Sequence, residues 1–252
     1  MAFAGAAAPS LHIRDASLAL GGRLLFSGLE LTVPDGCFTA LLGVSGVGKT
    51  SLLRLVAGLL DPQEKTQLGA GDGQPIAGRV AWMGQQDLLL PWASALDNVM
   101  LGLRLRGQKC DDPAKARALA LLEQVGLGDR ANARPAALSG GQRQRVALAR
   151  TLFEDRPIVL MDEPFSALDA VTRLRLGDMA ARLLAGRTVM MVTHDPMEAL
   201  RLADQVVVMS GSPARLTAPI LPPGPAPRAP DGEVILRLQG ELLIDLAAGV
   251  PA

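Results

Sequence analysis

Eight consecutive residues, GVSGVGKT from Gly43 to Thr50, have the composition of a phosphate cradle. In the pattern G-x-x-x-x-G-K-T the glycines let backbone N–H groups wrap phosphate oxygens. The run follows an apolar stretch, FTALL, and precedes SLLRLVAGLL, which is helix-forming. A helix starting there adds partial positive charge at the same point. Lys49 would reach the β- and γ-phosphates, and Thr50 would ligate Mg²⁺. The expected nucleotide contacts are Gly43, Val44, Ser45, Gly46, Val47, Gly48, Lys49, Thr50 and Ser51. The competing reading, a glycine-rich turn without function, has little room once strand, loop and helix stand in order.

A phosphate loop names no reaction, because kinases, GTPases and motor ATPases all carry one. IVLMDEP narrows the field. Four apolar residues deliver Asp162 and Glu163 to the end of a strand. Asp162 can hold Mg²⁺ through water, and Glu163 can accept a proton from attacking water. A kinase would want an acceptor site rather than a base for water. No N-K-x-D guanine motif is present, which argues against a GTPase switch.

These groups need a scaffold. FTALL, PIVLM (157–161) and TVMMV (188–192) are apolar throughout, as strands buried on both faces of a parallel sheet are. Each precedes polar residues or glycine and then a helix-like segment. That is the α/β pattern, with chemistry at the carboxyl ends of the strands. A fourth run, VVVM, ends in the turn signal SGSP. Upstream, SLAL-GG-RLLF reads as a hairpin. LELTV alternates before the turn PDG, and the region reads as a small antiparallel sheet beside the core. From Asp97 to Phe153 the chain is Ala- and Leu-rich with helical period, a helical insert spanning about residues 88–153. One domain over 1–220 is expected, then a Pro-rich linker and short tail over 221–252. EVILRLQGELLIDL in that tail reads as an amphipathic helix on the body or a frayed end.

Composition removes other classes. The 252 residues carry no net charge, 3% aromatics and no Tyr. Neutral charge and few stacking rings argue against nucleic acid as partner. Cys37 and Cys110 are isolated and read as reduced structural thiols, and two histidines do not make a metal centre. The start, MAFAGAAAPS, lacks the basic n-region of a secretory signal and reads as a floppy terminus. No apolar run is long enough to cross a bilayer.

A third motif, LSGGQRQRVALARTL, begins at Leu138. Ser139 is a good N-cap, and the following glycines allow the backbone to approach an anion. Arg143 and Arg145 read as a solvated or structural helix face. With the phosphate loop and LMDEPFSALD, LSGGQ makes the chain strongly resemble the ATP-binding subunits of ABC transporters, from about Leu11 to Ser210. The resemblance implies a RecA-like α/β P-loop core with an antiparallel β subdomain and an α-helical subdomain, the ABC ATPase fold. It implies hydrolysis of ATP with Mg²⁺ held by Thr50, Gln85 and Asp162. It makes Ser139, Gly140, Gly141 and Gln142 a signature that closes on the γ-phosphate of a second subunit. Asp169 in SALD then lies at the dimer interface. His194 in VTHD becomes the switch histidine, and Glu163, His194 and Gln85 form the catalytic set. In relatives the active glutamine precedes the Leu-Leu-Pro-Trp segment at a spacing that implies Gln85 here rather than Gln86, which would be one residue too close. Because each motif occurs once, a homodimer is simplest, with a different second subunit as the alternative.

Two departures from the family pattern stand out. The aromatic ring expected to stack on adenine is replaced by Leu20, and Phe26 could substitute only if the hairpin were shifted. The segment PIAGRVAWMG is shorter than in relatives. LLLPWASALDNVMLGL resembles the stretch that docks on membrane permease subunits in importers of nitrate, sulfonates, taurine and hydroxymethylpyrimidine-type thiamine precursors. The implied setting is peripheral, on the cytoplasmic face of the inner membrane, served indirectly by a solute-binding protein. The alternative is a soluble ABC ATPase acting on a macromolecule. Such proteins usually carry two cassettes or long coiled-coil insertions, and neither is found here.

Overall fold

The apolar runs fold as central strands because alternate residues enter different cores. Phe38, Ala40 and Leu42 join one apolar cluster and Leu41 the other. Val159 and Met161 separate in the same way from Ile158 and Leu160, and Val189 and Met191 from Met190 and Val192. A strand covered on both faces cannot alternate with polar residues, which accounts for the sequence pattern.

The computed structural model describes residues 8–63 and 65–248; most of the MAFAGAAAPS start lies outside them. The strands are β1 (Leu11–Leu20), β2 (Arg23–Val33), β3 (Phe38–Leu42), β4 (Gln67–Ala70), β5 (Val80–Met83), β6 (Ile158–Asp162), β7 (Thr188–Thr193), β8 (Gln205–Gly211) and β9 (Ala214–Leu216). The helices are α1 (Lys49–Val56), α2 (Ala95–Val99), α3 (Leu101–Leu105), α4 (Asp112–Gln124), α5 (Gly140–Phe153), α6 (Ala170–Leu183), α7 (Pro196–Leu202) and α8 (Glu233–Ala248). Among the described residues nine strands form one sheet in the order β4-β1-β2-β9-β8-β3-β7-β6-β5. From β8 to β5 all neighbours are parallel. α1 covers one face, while α5, α6, α7 and α8 contribute to the cluster on the other.

The antiparallel region differs in one respect from a small sheet set beside the core. Gly21 and Gly22, with φ of 55° and 80°, make the two-residue turn, and Leu20 faces Arg23. Both turn residues are left-handed, as the tight turns that match strand twist require. RLLF and LELTV are a single long strand, bent by register shifts around Gly28. β2 then pairs with β9 at Phe26 and Ala214, and β9 pairs with β8, so the two regions are continuous.

The Pro-rich stretch after β9 is pinned by a buried cation. Arg228 donates to the carbonyls of Pro222, Pro223, Leu200 and Ala203. α8 follows and buries Ile235, Leu242 and Leu246. A Cβ at Gly240 would meet nothing within 4 Å. Among the described residues no helix is long and apolar enough to cross a membrane.

Candidate active site

The loop between β3 and α1 is bounded by glycines with different reasons to be glycine. A Cβ on Gly43 would overlap the Met209 carbonyl of β8. Gly46 (φ 81°) and Gly48 (φ 114°) are left-handed, a backbone state that glycine adopts without a Cβ penalty. Gly48 is also the N-cap of α1 and lies on the ring of Phe26. Lys49 is 5% exposed, and its Nζ donates to Gly43 O (2.7 Å) and Val44 O (2.9 Å). Burial pushes its pKa down, opposed by the charges of Glu163 and Asp162. The ammonium is thus held inside the loop by neutral acceptors that a phosphate oxygen can outcompete.

At the end of β6, Asp162 is fully buried. Its Oδ1 accepts from Thr50 Oγ1 at 2.9 Å, whereas Oδ2 has no hydrogen-bond partner among the described residues. Burial raises its pKa, and the Thr50 bond works the other way. A buried carboxylate oxygen without a donor is costly unless a cation completes it. The pair Thr50–Asp162 therefore fits a hard divalent cation taking oxygen ligands, as Mg²⁺ does.

Glu163 has φ 48°, an uncommon conformation for a non-glycine residue. Its surroundings over-determine it. The N–H donates to Val192 O at 2.9 Å. Its carbonyl accepts from Gln144 Nε2 and Ser166 Oγ. The side chain is bracketed on both oxygens: Gln85 Nε2 lies 3.4 Å from Oε2, and His194 Nδ1 lies 3.1 Å from Oε1. β5 supplies the glutamine and β7 the histidine, both from the carboxyl ends of strands flanking β6. Glu163, Ser166, Thr193 and His194 help line a recess of about 20 Å³, roughly one water in size.

The structure brings Lys49, Thr50, Gln85, Asp162, Glu163 and His194 together in this way. Among the described residues no hydrogen bond joins Gln86 to Glu163, and Gln85 and Gln86 both line a wider cleft with Gly140 and Arg143. Apart from Gly140, which lines that cleft, the signature residues are engaged at their own helix start. Ser139 Oγ accepts from Gln142 N, and Gln142 Oε1 accepts from Ser139 N, a complete capping box at the start of α5. Among the described residues no hydrogen bond or ion pair joins Ser139–Gln142 to the phosphate loop. Asp169 caps α6 through Thr172 N at 2.9 Å, a bond that lowers its pKa.

Phe26 takes no part at the surface. It is fully buried because it faces inward from β2, so a base cannot stack on it; Leu20, 45% exposed at the hairpin tip, remains. Arg143 and Arg145 are structural. Arg143 pairs with Asp87 and donates to Leu138 O, while Arg145 donates to Val125 O. Sequence reasoning passed over Gln144 and Arg150. Gln144 ties Glu163 O to Ala167 N, and Arg150 donates to the carbonyls of Asp87 and Leu88. Only the Ser-x-x-Gln spacing carried a local signal for any such bond.

The sequence pattern of the family described as ABC transporter matches residues 26–166. The chain belongs to the ABC transporter family. This ABC cassette is 44% identical over 239 residues to an uncharacterized ABC transporter ATP-binding protein of Haemophilus influenzae, covering 94% of this chain and 98% of that one. It is 45% identical over 206 residues to the aliphatic sulfonates import ATP-binding protein SsuB 1 of Paracoccus denitrificans, covering 81% of each. Its fold matches the ATP-binding cassette MJ0796, solved as a dimer in a post-hydrolysis state with ADP and Pi, with TM-score 0.73 and 27% identity. That match covers 85% of this chain and 99% of that one. The cassette has the P-loop ABC ATPase fold, and it is an ATPase producing ADP and phosphate.

Proposed function

We propose that this cassette hydrolyses ATP to drive an importer of small organic anions, with aliphatic sulfonates first among them. The observation that carries the reading is the span of one short segment. Gln85 lies at Glu163, while Trp92, seven residues on, is 70% exposed. The state of the nucleotide site can thus reach a surface where another protein can bind. The sulfonate importers among its relatives support the solute class. Taurine, nitrate and pyrimidine-type thiamine precursors stand behind it, and a soluble cassette acting on a macromolecule is the weaker alternative.

In this reading two copies meet head to tail. Backbone amides of residues 43–51 and Lys49 hold the phosphates, and Ser139, Gly140, Gly141 and Gln142 of the second copy complete each site. Asp169 lies at the contact between copies. Thr50 and Asp162, with Gln85, would hold Mg²⁺, which when bound neutralises charge on the phosphate oxygens. Glu163 takes the proton from attacking water, and His194 orients that water against the γ-phosphate. The cassette sits peripherally on the cytoplasmic face of the membrane against permease subunits, which a solute-binding protein supplies.

The test is reconstitution with the permease and binding protein in vesicles. ATP-dependent uptake of an aliphatic sulfonate is expected. ATP hydrolysis unaffected by permease, with no uptake of any solute above, would count against the reading.

A further inference from the structure

The recess beside Glu163 and His194 is walled by a cation that the reaction scheme does not use. Arg173, one turn into α6, spreads its guanidinium over three acceptors from two different segments. Nε donates to Phe165 O at 3.3 Å and Nη2 to Leu168 O at 3.1 Å. Nη1 lies 3.5 Å from Asp195 Oδ2. Asp195 is itself fixed. Its Oδ1 accepts from the backbone N–H groups of Met197 and Glu198 as the cap of α7, and its own N–H donates to Thr193 Oγ1 at 3.1 Å. His194 therefore stands between two residues locked by these bonds.

The other end of the fork holds residues 165–168, separated from the strained Glu163 only by Pro164. Phe165 and Leu168 are buried there, while Ser166, Ala167 and Asp169 are exposed. As a partly exposed ion pair the contact with Asp195 contributes little stability. What a rigid planar fork provides instead is fixed relative geometry, which a lysine with one mobile charge cannot reproduce.

We propose that Arg173 is a positioning residue that sets the His194 imidazole against Glu163 and couples it to the exposed face of residues 166–169. A second copy of this chain seated on that face would then be felt at the histidine through one side chain. The inference rests on the assignment of His194 and Glu163 to hydrolysis.

The test is a double-mutant cycle on the full-length chain with Mg-ATP, reading kcat, KM and melting temperature for R173Q, R173K, H194A and R173Q/H194A. R173Q should lower kcat about tenfold or more while KM for ATP stays within about twofold. R173K should recover only part of the loss. In the H194A background R173Q should cost almost nothing further, because the two act as a unit. Equal fractional losses in both backgrounds would overturn the proposal, as would a loss in R173Q that appears only in KM. Should R173Q not fold, D195N runs the same cycle. Asparagine keeps the α7 cap but sets an amide against the guanidinium. A fully active H194A would instead overturn the site assignment, and this coupling with it.

Discussion

At the scale of the residue, Glu163 combines a left-handed backbone with a side chain bracketed on both oxygens by Gln85 and His194. Glu163→Gln keeps the shape and removes the base. Turnover should fall by about 10²-fold or more, with nucleotide binding retained in a fluorescent-analogue titration. Full turnover would remove Glu163 from the role of base. Glu198 makes a second, pH-dependent prediction. Its carboxyl is buried, and desolvation pushes its pKa up to about 7, with Asp195 adding to the rise while Thr193, Arg173 and His194 oppose it. A folded-state pKa above the unfolded value means the native chain binds the proton more tightly. The stabilisation is full below the ordinary carboxylate pKa of 4.5 and is lost as pH rises through about 7. The melting temperature of wild type relative to Glu198→Gln should therefore fall across that window, and a flat difference would contradict it. Lys49, Thr50, Asp162 and Glu163 were legible because their motif is contiguous. Glu198, Arg173 and Gln144 were not, because their partners lie on other elements and no local spacing announces them.

At the scale of the element, the helices that carry the motifs are also capped by them. Ser139→Ala removes an N-cap and should cost about 1 kcal/mol in urea unfolding without nucleotide, before any second copy is involved. Unchanged stability with lost hydrolysis would assign Ser139 wholly to the partner's nucleotide. Asp169→Asn, which preserves the cap of α6, should unfold like wild type; any loss of turnover then belongs to the charge. The buried strands were readable because covering both faces leaves one composition, as β3 and β7 show. β4 was not, since QLGA has neither alternation nor an apolar run and exists by pairing with β1. In α8, Gly240 weakened the sequence signal, yet that position faces open space and the helix is held by Ile235, Leu242 and Leu246.

At the scale of the whole molecule, the order of the sheet places the nucleotide loop between the two regions of the fold. If Glu163→Gln traps two ATP molecules between copies, size-exclusion chromatography with Mg-ATP should show twice the mass of the nucleotide-free form. A monomer at saturating ATP would argue against the head-to-tail arrangement. Trp92→Ala with Leu90→Ala should weaken co-purification with the permease while ATP binding stays intact. The expectation of that contact came only through resemblance, because exposure of Trp92 is a property of the fold. The phosphate loop has a further consequence, a historical one. Gly43 is pressed against the Met209 carbonyl and Gly48 against the Phe26 ring, so three segments far apart in the chain share one mould. A lineage drifting from this one should keep glycine at 43 whatever stands at 209, since every residue presents that carbonyl, and should change position 48 only in step with the ring at 26. Descendants should inherit Gly43, Gly48 and Phe26 together, while the exposed hairpin tip at Leu20 wanders freely.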